Sequence, residues 1–312
     1  MNQLNKILRA QGCFLGQVAG DSLGSLVEFQ NHEAIIEKYP NGLRELKSGG
    51  FWRTLAGQPT DDSEMAILLA RSIVKNNGYY PEEALKSYQY WYNSNPFDCG
   101  FTISSALNGR LNKLSQANGA MMRVSPLGVF GSNYNLTQVA DWSIQDCKLT
   151  HPNIICIQAN ALYTMAVSYA VKVGPDPLDI YKNIVTWAKG MCVESILLET
   201  ILKSKDSKPL EYCNKQGWVL IALQNTLWQL LHAVDLEEGI VDTVMNGGDT
   251  DTNGAICGAL LGAVYSKDAV PQQWVDCILT CKPDINNPSV VHARPKNMWP
   301  IDILDLSEKL VS

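Results

Sequence analysis

Apolar side chains in this 312-residue chain recur at three- and four-residue spacing in nearly every segment, whereas alternating runs bounded by turn pairs are almost missing. A chain patterned in this way has helical stripes to bury and little from which to build a sheet, so an all-α fold is predicted. The run 63–74 follows acidic residues and ends just before Lys75, which matches both poles of a helix dipole. Pro81 opens a second helix with proline in its first turn, and 236–245 reads as a short amphipathic one. Further helices are predicted near 3–19, 102–113, 153–172, 177–191, 217–232, 251–265, 271–279 and 301–310. The Gly-, Pro- and Asn-rich spots at 93–100, 118–119 and 247–248 fall between helices as loops. No low-complexity linker or fixed-period repeat divides the chain, so 1–312 is read as one multi-helix domain.

The longest uncharged stretch, 152–171, is interrupted by Gln158, Asn160, Thr164 and Ser168, side chains that lipid would leave without partners. It is read as a buried core helix. With 25 basic and 31 acidic residues the net charge is −6, and no Lys/Arg cluster offers the counterion exchange that nucleic acid or an anionic membrane requires. Neither is expected as a partner. The nine cysteines contain no C-x-x-C pair and mostly sit in apolar stretches, which fits reduced, buried thiols. Gln11, Gln17 and three glycines dilute the one N-terminal apolar run, so no export signal is read there. A cytoplasmic monomer is the expectation.

Chemistry concentrates at two helix starts. Thr60-Asp61-Asp62 precedes one helix, and Asp249-Thr250-Asp251-Thr252 precedes another. Thr and Asp are ordinary N-caps, and Asp61-x-x-Glu64 resembles a capping box, so either cluster alone reads as capping. Two carboxylates in each cluster exceed what capping needs, because the second repels the first unless a cation lies between them. Such hard oxygen donors suit Mg²⁺, Mn²⁺ or Ca²⁺ rather than zinc. Two divalent cations would balance Asp61, Asp62, Asp249 and Asp251 if the loops meet. An EF-hand fits Asp249, Asp251, Asn253 and Gly254 but places Leu260 where its final Glu belongs, and is rejected. An Asp-x-Asp phosphatase nucleophile would follow a buried strand; here Asp249 follows Asn246-Gly247-Gly248 and a helix.

The pairing of Thr60-Asp61-Asp62-Ser63 with Gly247-Gly248-Asp249-Thr250-Asp251-Thr252 resembles the hallmark of the ADP-ribosylglycohydrolases, of the dinitrogenase-reductase-activating type. Further matches run in the family's order: Gly16-x-x-x-Gly20-Asp21-x-x-Gly24 with Glu28, the stretch 96–100, the stretch 118–128, Thr150-His151-Pro152, Arg294-Pro295 and Trp299-Pro300.

The resemblance implies an all-α fold with a binuclear Mg²⁺ or Mn²⁺ centre that hydrolyses the bond between ADP-ribose and a modified side chain. It implies Thr60, Asp61, Asp62, Asp249, Asp251 and Thr252 as ligands, with Glu28 reaching the same centre. Asp98 and Glu28 are the catalytic candidates, their acid and base roles undivided. Asp21, Gly100, Asn118, Gly119, Arg123 and His151 are the implied substrate contacts, with orientation of the 118–119 loop as the alternative role for Arg123. Read without the family, Asp98 is a solvated loop residue, Asn118-Gly119 a tight turn and His151 a structural histidine. Cys99 and the stretch 103–105 depart from the family pattern and bear on target-side specificity. The expected substrate is a mono-ADP-ribosylated protein, chiefly at arginine, with ADP-ribose released. An immunity protein acting against a toxin, or a hydrolase of small nucleotide metabolites, stays open as an alternative.

Overall fold

The computed structural model describes residues 2–174 and 176–312. Among them lie fifteen α-helices and no sheet: α1 Gln3–Gly24, α2 His32–Lys38, α3 Asp61–Asn76, α4 Pro81–Asn93, α5 Phe101–Leu107, α6 Ser125–Gly131, α7 Leu136–Lys148, α8 Ile154–Val173, α9 Pro177–Gly190, α10 Ser195–Lys203, α11 Val219–His232, α12 Leu236–Met245, α13 Thr250–Tyr265, α14 Gln272–Thr280 and α15 Ile303–Val311. The all-α expectation holds. Helix α8 is the stretch long and apolar enough to cross a membrane, but 78% of it is buried inside the fold, as a core helix requires.

The most extensive helix pairing joins α1 to α13, and glycine makes it possible. Gly12, Gly16, Gly20 and Gly24 fall at four-residue spacing on one ridge of α1. They meet Gly262, Gly258, Gly254 and Thr250–Asp251 in that order, so the helices run antiparallel with backbones in contact. A Cβ on Gly20 would lie 2.0 Å from the Gly254 carbonyl oxygen, and one on Gly258 would lie 2.0 Å from that of Gly16. Each glycine weakens its helix by roughly 0.5–1 kcal/mol, which the close approach offsets. The antiparallel arrangement brings the end of α1 and the loop after it against the start of α13.

A carboxylate then ties in the start of α3. Thr60, the N-cap of α3, makes no side-chain capping bond of its own. Instead Asp21 of α1 accepts from Thr60 N at 3.1 Å, Ser63 N at 3.1 Å and Thr60 Oγ1 at 2.9 Å. One buried acid therefore satisfies the orphan amides of a neighbouring helix, which positions Asp61 and Asp62 beside the start of α13.

Two expectations are corrected here. The helix expected over 102–113 stops at Leu107, because Asn108 and Gly109 (φ +79°) turn the chain and Gly109 N bonds back to Ala106 O. The capping box at Asp61 is not formed: Glu64 turns away to Arg294 and Trp91. Helices α2, α6, α7 and α10 were not anticipated.

Candidate active site

Two helix N-termini, α3 and α13, open into one cavity of about 340 Å³. Their exposed amide ends favour negative charge, which is why five carboxylates can crowd there: Glu28, Asp61, Asp98, Asp249 and Asp251 all line the cavity. Oxygen atoms of Glu28, Asp98 and Asp251 lie within 4.8 Å of one another. Glu28 comes from the loop after α1, Asp98 from the loop between α4 and α5, and Asp251 from the first turn of α13. Sequence-distant segments thus converge through the α1–α13 contact and the Asp21 brace.

None of the ion pairs formed among the described residues neutralises these acids. Burial raises the Asp98 carboxyl to about 7, helped by the charges of Asp249 and Asp21. Burial also raises Glu28 to about 8, with Asp98 and Asp249 adding to it while the Trp52 indole opposes. Burial pushes Asp61, Asp62 and Asp251 well above the ordinary carboxyl value, helped most by the neighbouring charges of Asp98, Asp21 and Glu28 respectively. Asp62 is fully buried; its Oδ2 accepts from Thr60 Oγ1 at 3.0 Å and Thr252 Oγ1 at 3.4 Å, while its Oδ1 has no partner. An orphaned carboxylate oxygen among all-oxygen donors, with no counter-cation, is what hard divalent cations would complete. The residues present fit that group.

Of the expected ligand set, Asp61, Asp249, Asp251 and Thr252 face the cavity, and Thr60 and Asp62 stand directly behind, joined by their hydrogen bond. Gly100, Asn118, Gly119 and His151 also line it. Asn118 Nδ2 donates to Asp249 Oδ2 at 2.7 Å, and Asn118 N donates to Gly217 O, so this loop is a wall of the cavity rather than an isolated turn. A Cβ on Gly119 would press on Ile103 Cδ1 at 2.9 Å and on the His151 ring at 3.2 Å. His151 is fully buried and held neutral: burial, with Arg123 nearby, lowers it to about 3. Thr150 Oγ1 holds its Nδ1 at 2.8 Å, while Nε2 has no partner.

Asp21 and Arg123, both implied as substrate contacts, are not among the residues lining the cavity, and Arg123 takes the loop-orienting place also read for it. Asp21 is spent on the start of α3, as above. Arg123 is fully buried, donates to Asp146 Oδ2 at 3.2 Å and to Gly119 O at 3.3 Å, and lies over the Tyr88 ring at 4.3 Å. It braces the 118–119 loop from behind.

Two roles are not legible in the sequence, although Arg294-Pro295 stands among the family matches. Trp52 donates its indole N–H to Glu28 Oε2 at 2.7 Å and fixes that carboxylate; the adjoining Gly49-Gly50 turn was its only signal. Arg294 forms a buried two-point pair with Glu64, Nε–Oε1 and Nη2–Oε2 both 2.8 Å, and donates to Ser94 O at 3.2 Å. That guanidinium links the first turns of α3 to the loop that carries Asp98.

An all-α frame that gathers buried carboxyls titrating near neutrality round one cleft is the equipment of a hydrolase working by acid–base chemistry. Residues 2–295 match the ADP-ribosylglycohydrolase family, and the chain belongs to it. It is 27% identical over 282 residues to the ADP-ribosyl-dinitrogen reductase glycohydrolase of Rhodospirillum rubrum, covering 86% of this chain and 89% of that protein. It is 25% identical over 287 residues to the ADP-ribosylarginine hydrolase Tri1 of Pseudomonas putida (strain GB-1), covering 86% of this chain and 73% of that one. A solved structure described as an ADP-ribosylglycohydrolase-related protein complex shares the fold, with a TM-score of 0.79 at 24% identity over 99% of this chain and 98% of its own. The protein is accordingly a glycosylhydrolase.

Proposed function

We propose that this enzyme releases ADP-ribose from mono-ADP-ribosylated arginine side chains in the cytoplasm, acting as a monomer with two Mg²⁺ or Mn²⁺ ions. Asp61, Asp62, Asp249 and Asp251 would hold the cations with Thr60, Thr252 and Glu28. When bound, the cations supply positive charge that fixes the distal ribose hydroxyls and favours ionisation of the attacking water. The observation that carries the reading is the convergence of Glu28, Asp98 and Asp251 within 4.8 Å at the mouth of two helix starts.

The protein's own groups account for the proton. A guanidinium leaving group takes the electron pair of the breaking ribose C–N bond and departs as neutral guanidine. Water supplies the oxygen to the ribose carbon and gives up a proton, which the guanidine must receive. Asp98, titrating near 7, accepts and returns a proton at neutral pH, and Trp52 keeps Glu28 oriented beside it. The backbone of the 118–119 and 216–217 segments lines the cavity, and its amide N–H groups are the donors a diphosphate would use. Arginine is favoured as the linkage by the acidity of the cleft and by the activity named for the Tri1 relative. Incubating the protein with ADP-ribosyl-arginine and ADP-ribosyl-serine peptides, with Mg²⁺ or excess chelator, tests the reading. Metal-dependent release from the arginine peptide is expected; no release, or release indifferent to chelation, overturns it.

A further inference from the structure

An aromatic array runs along the carboxylate end of the cleft. Phe29 and Phe51 meet edge to face at 5.0 Å, Phe51 and Trp52 at 4.8 Å, Trp52 and Phe97 at 5.8 Å, and Phe97 stacks on His292 at 4.5 Å. Its outer rings are left in water: Phe29 is 52% exposed and Phe51 60%. Clustered exposed aromatics of this kind mark a surface meant for a ligand.

The backbone holds the first ring there under strain. Phe29 has φ +64°, a left-handed conformation that an aromatic residue rarely adopts, and its N–H is pinned to Gly248 O at 2.9 Å. A relaxed backbone would aim the ring elsewhere. Phe29 lines the cavity and directly follows Glu28, while Trp52 grips Glu28 Oε2. The array therefore belongs to the end where Glu28 and Asp98 converge, and the Asn118–Gly217 contact forms a separate wall.

We infer that Phe29 on the cavity wall, with Phe51 packed edge-on against it and the carboxyl group of Asp98 nearby, forms the subsite for the guanidinium of the modified arginine and selects a flat cationic side chain over an uncharged one. This rests on the reading that the enzyme cleaves ADP-ribosyl-arginine. A guanidinium lays its face on aromatic rings and its N–H edge on carboxylates; a serine side chain has no flat face and no charge to offer.

The test uses the Mg²⁺-loaded protein saturated with ADP-ribose, titrated calorimetrically with L-argininamide and with its uncharged isostere L-citrullinamide. The wild type should bind argininamide about tenfold more tightly, and Phe29→Leu/Phe51→Leu, which keeps apolar bulk but removes the rings, should cut that preference to about two- or threefold, the share left to the carboxyl group. Phe51→Trp should retain the full preference, and ADP-ribose affinity should be the same in all variants. The inference is overturned if the wild type shows no preference, if the double variant keeps it in full, or if ADP-ribose affinity falls in the double variant, which would assign the rings to the nucleotide. Turnover of ADP-ribosyl-arginine by the wild type is followed in parallel. Its absence alongside an intact argininamide preference sinks the proposed reaction and leaves the cation subsite standing.

Discussion

Replacing Gly20 by alanine attacks the contact that assembles the site without touching a functional group. The new methyl carbon would sit 2.0 Å from Gly254 O and 2.3 Å from Gly254 C, both backbone atoms of α13 with no rotamer to yield. To restore van der Waals contact the helices must part by roughly 1 Å. Alanine strengthens α1 by about 0.5–1 kcal/mol, but overpacking costs about 1–3 kcal/mol or more, so a net loss of stability of about 1–2 kcal/mol is expected. The larger effect falls on activity. Asp251 is carried on α13 and Glu28 follows α1, so the same displacement pulls apart oxygens that now lie within 4.8 Å. A misplacement of about 1 Å costs on the order of 10² in rate. Thermal melts and single-turnover release of ADP-ribose should therefore show a melting point lower by a few degrees beside a far larger fall in turnover. Gly190→Ala at the end of α9, whose added carbon meets nothing within 4 Å, is the control and should leave turnover unchanged and the melting point no lower. Wild-type melting and turnover in Gly20→Ala would refute the claim that backbone contact between α1 and α13 sets the site.

Cation-free stability should depend on pH with a definite sign. Glu28 and Asp98 titrate above the ordinary carboxyl range, so the fold prefers them protonated; that stabilisation is complete below about pH 4 and is lost as pH rises through about 7 and then about 8. Divalent cations relieve the repulsion, so the Mg²⁺-induced rise in melting temperature should be small at pH 5 and large at pH 8.5; an equal rise at both would count against the linkage. The Arg294–Glu64 pair yields a third expectation. Arg294→Met strands Glu64, 1% exposed, and should destabilise by about 3–5 kcal/mol in denaturant melts, while adding Glu64→Leu should recover most of the loss. If the double variant is no more stable than the single, the pair is not acting as a unit.

Local signals carried the parts of the fold that are locally determined. Pro81 starts α4 and 236–245 coincides with α12 because proline, the Asp235 cap and amphipathic spacing settle those boundaries within a few residues. Helices α2, α6 and α10 are seven to nine residues long, too short for periodicity to stand out, and α7 mixes polar residues into its apolar stripe. In the site, the two acidic clusters were visible as an excess over capping. Their meeting came only with the family resemblance, because it depends on glycine ridges that touch across more than two hundred residues and on an Asp21 brace 39 residues from Thr60. The same limit explains Asp21 and Arg123: the sequence marks both as constrained, but only packing decides that each faces its neighbours instead of the cleft. Trp52 carried only the weak signal of the adjoining Gly49-Gly50 turn, since a tryptophan that holds a carboxylate looks in sequence like one that fills a core.

The central claim is that Asp98 handles the proton in a cleft whose cations and nucleotide are held by other groups. The direct measurement is Asp98→Asn, assayed for turnover of ADP-ribosyl-arginine beside calorimetric ADP-ribose affinity and bound metal in the same preparation. Asparagine keeps the shape and cannot carry a proton at neutral pH, so turnover should fall by about 10²- to 10⁴-fold while affinity and metal content stay within a few-fold. Unchanged turnover would make Asp98 an ordinary loop residue, and a collapse of ADP-ribose binding with turnover would show that it shapes the pocket instead of moving the proton.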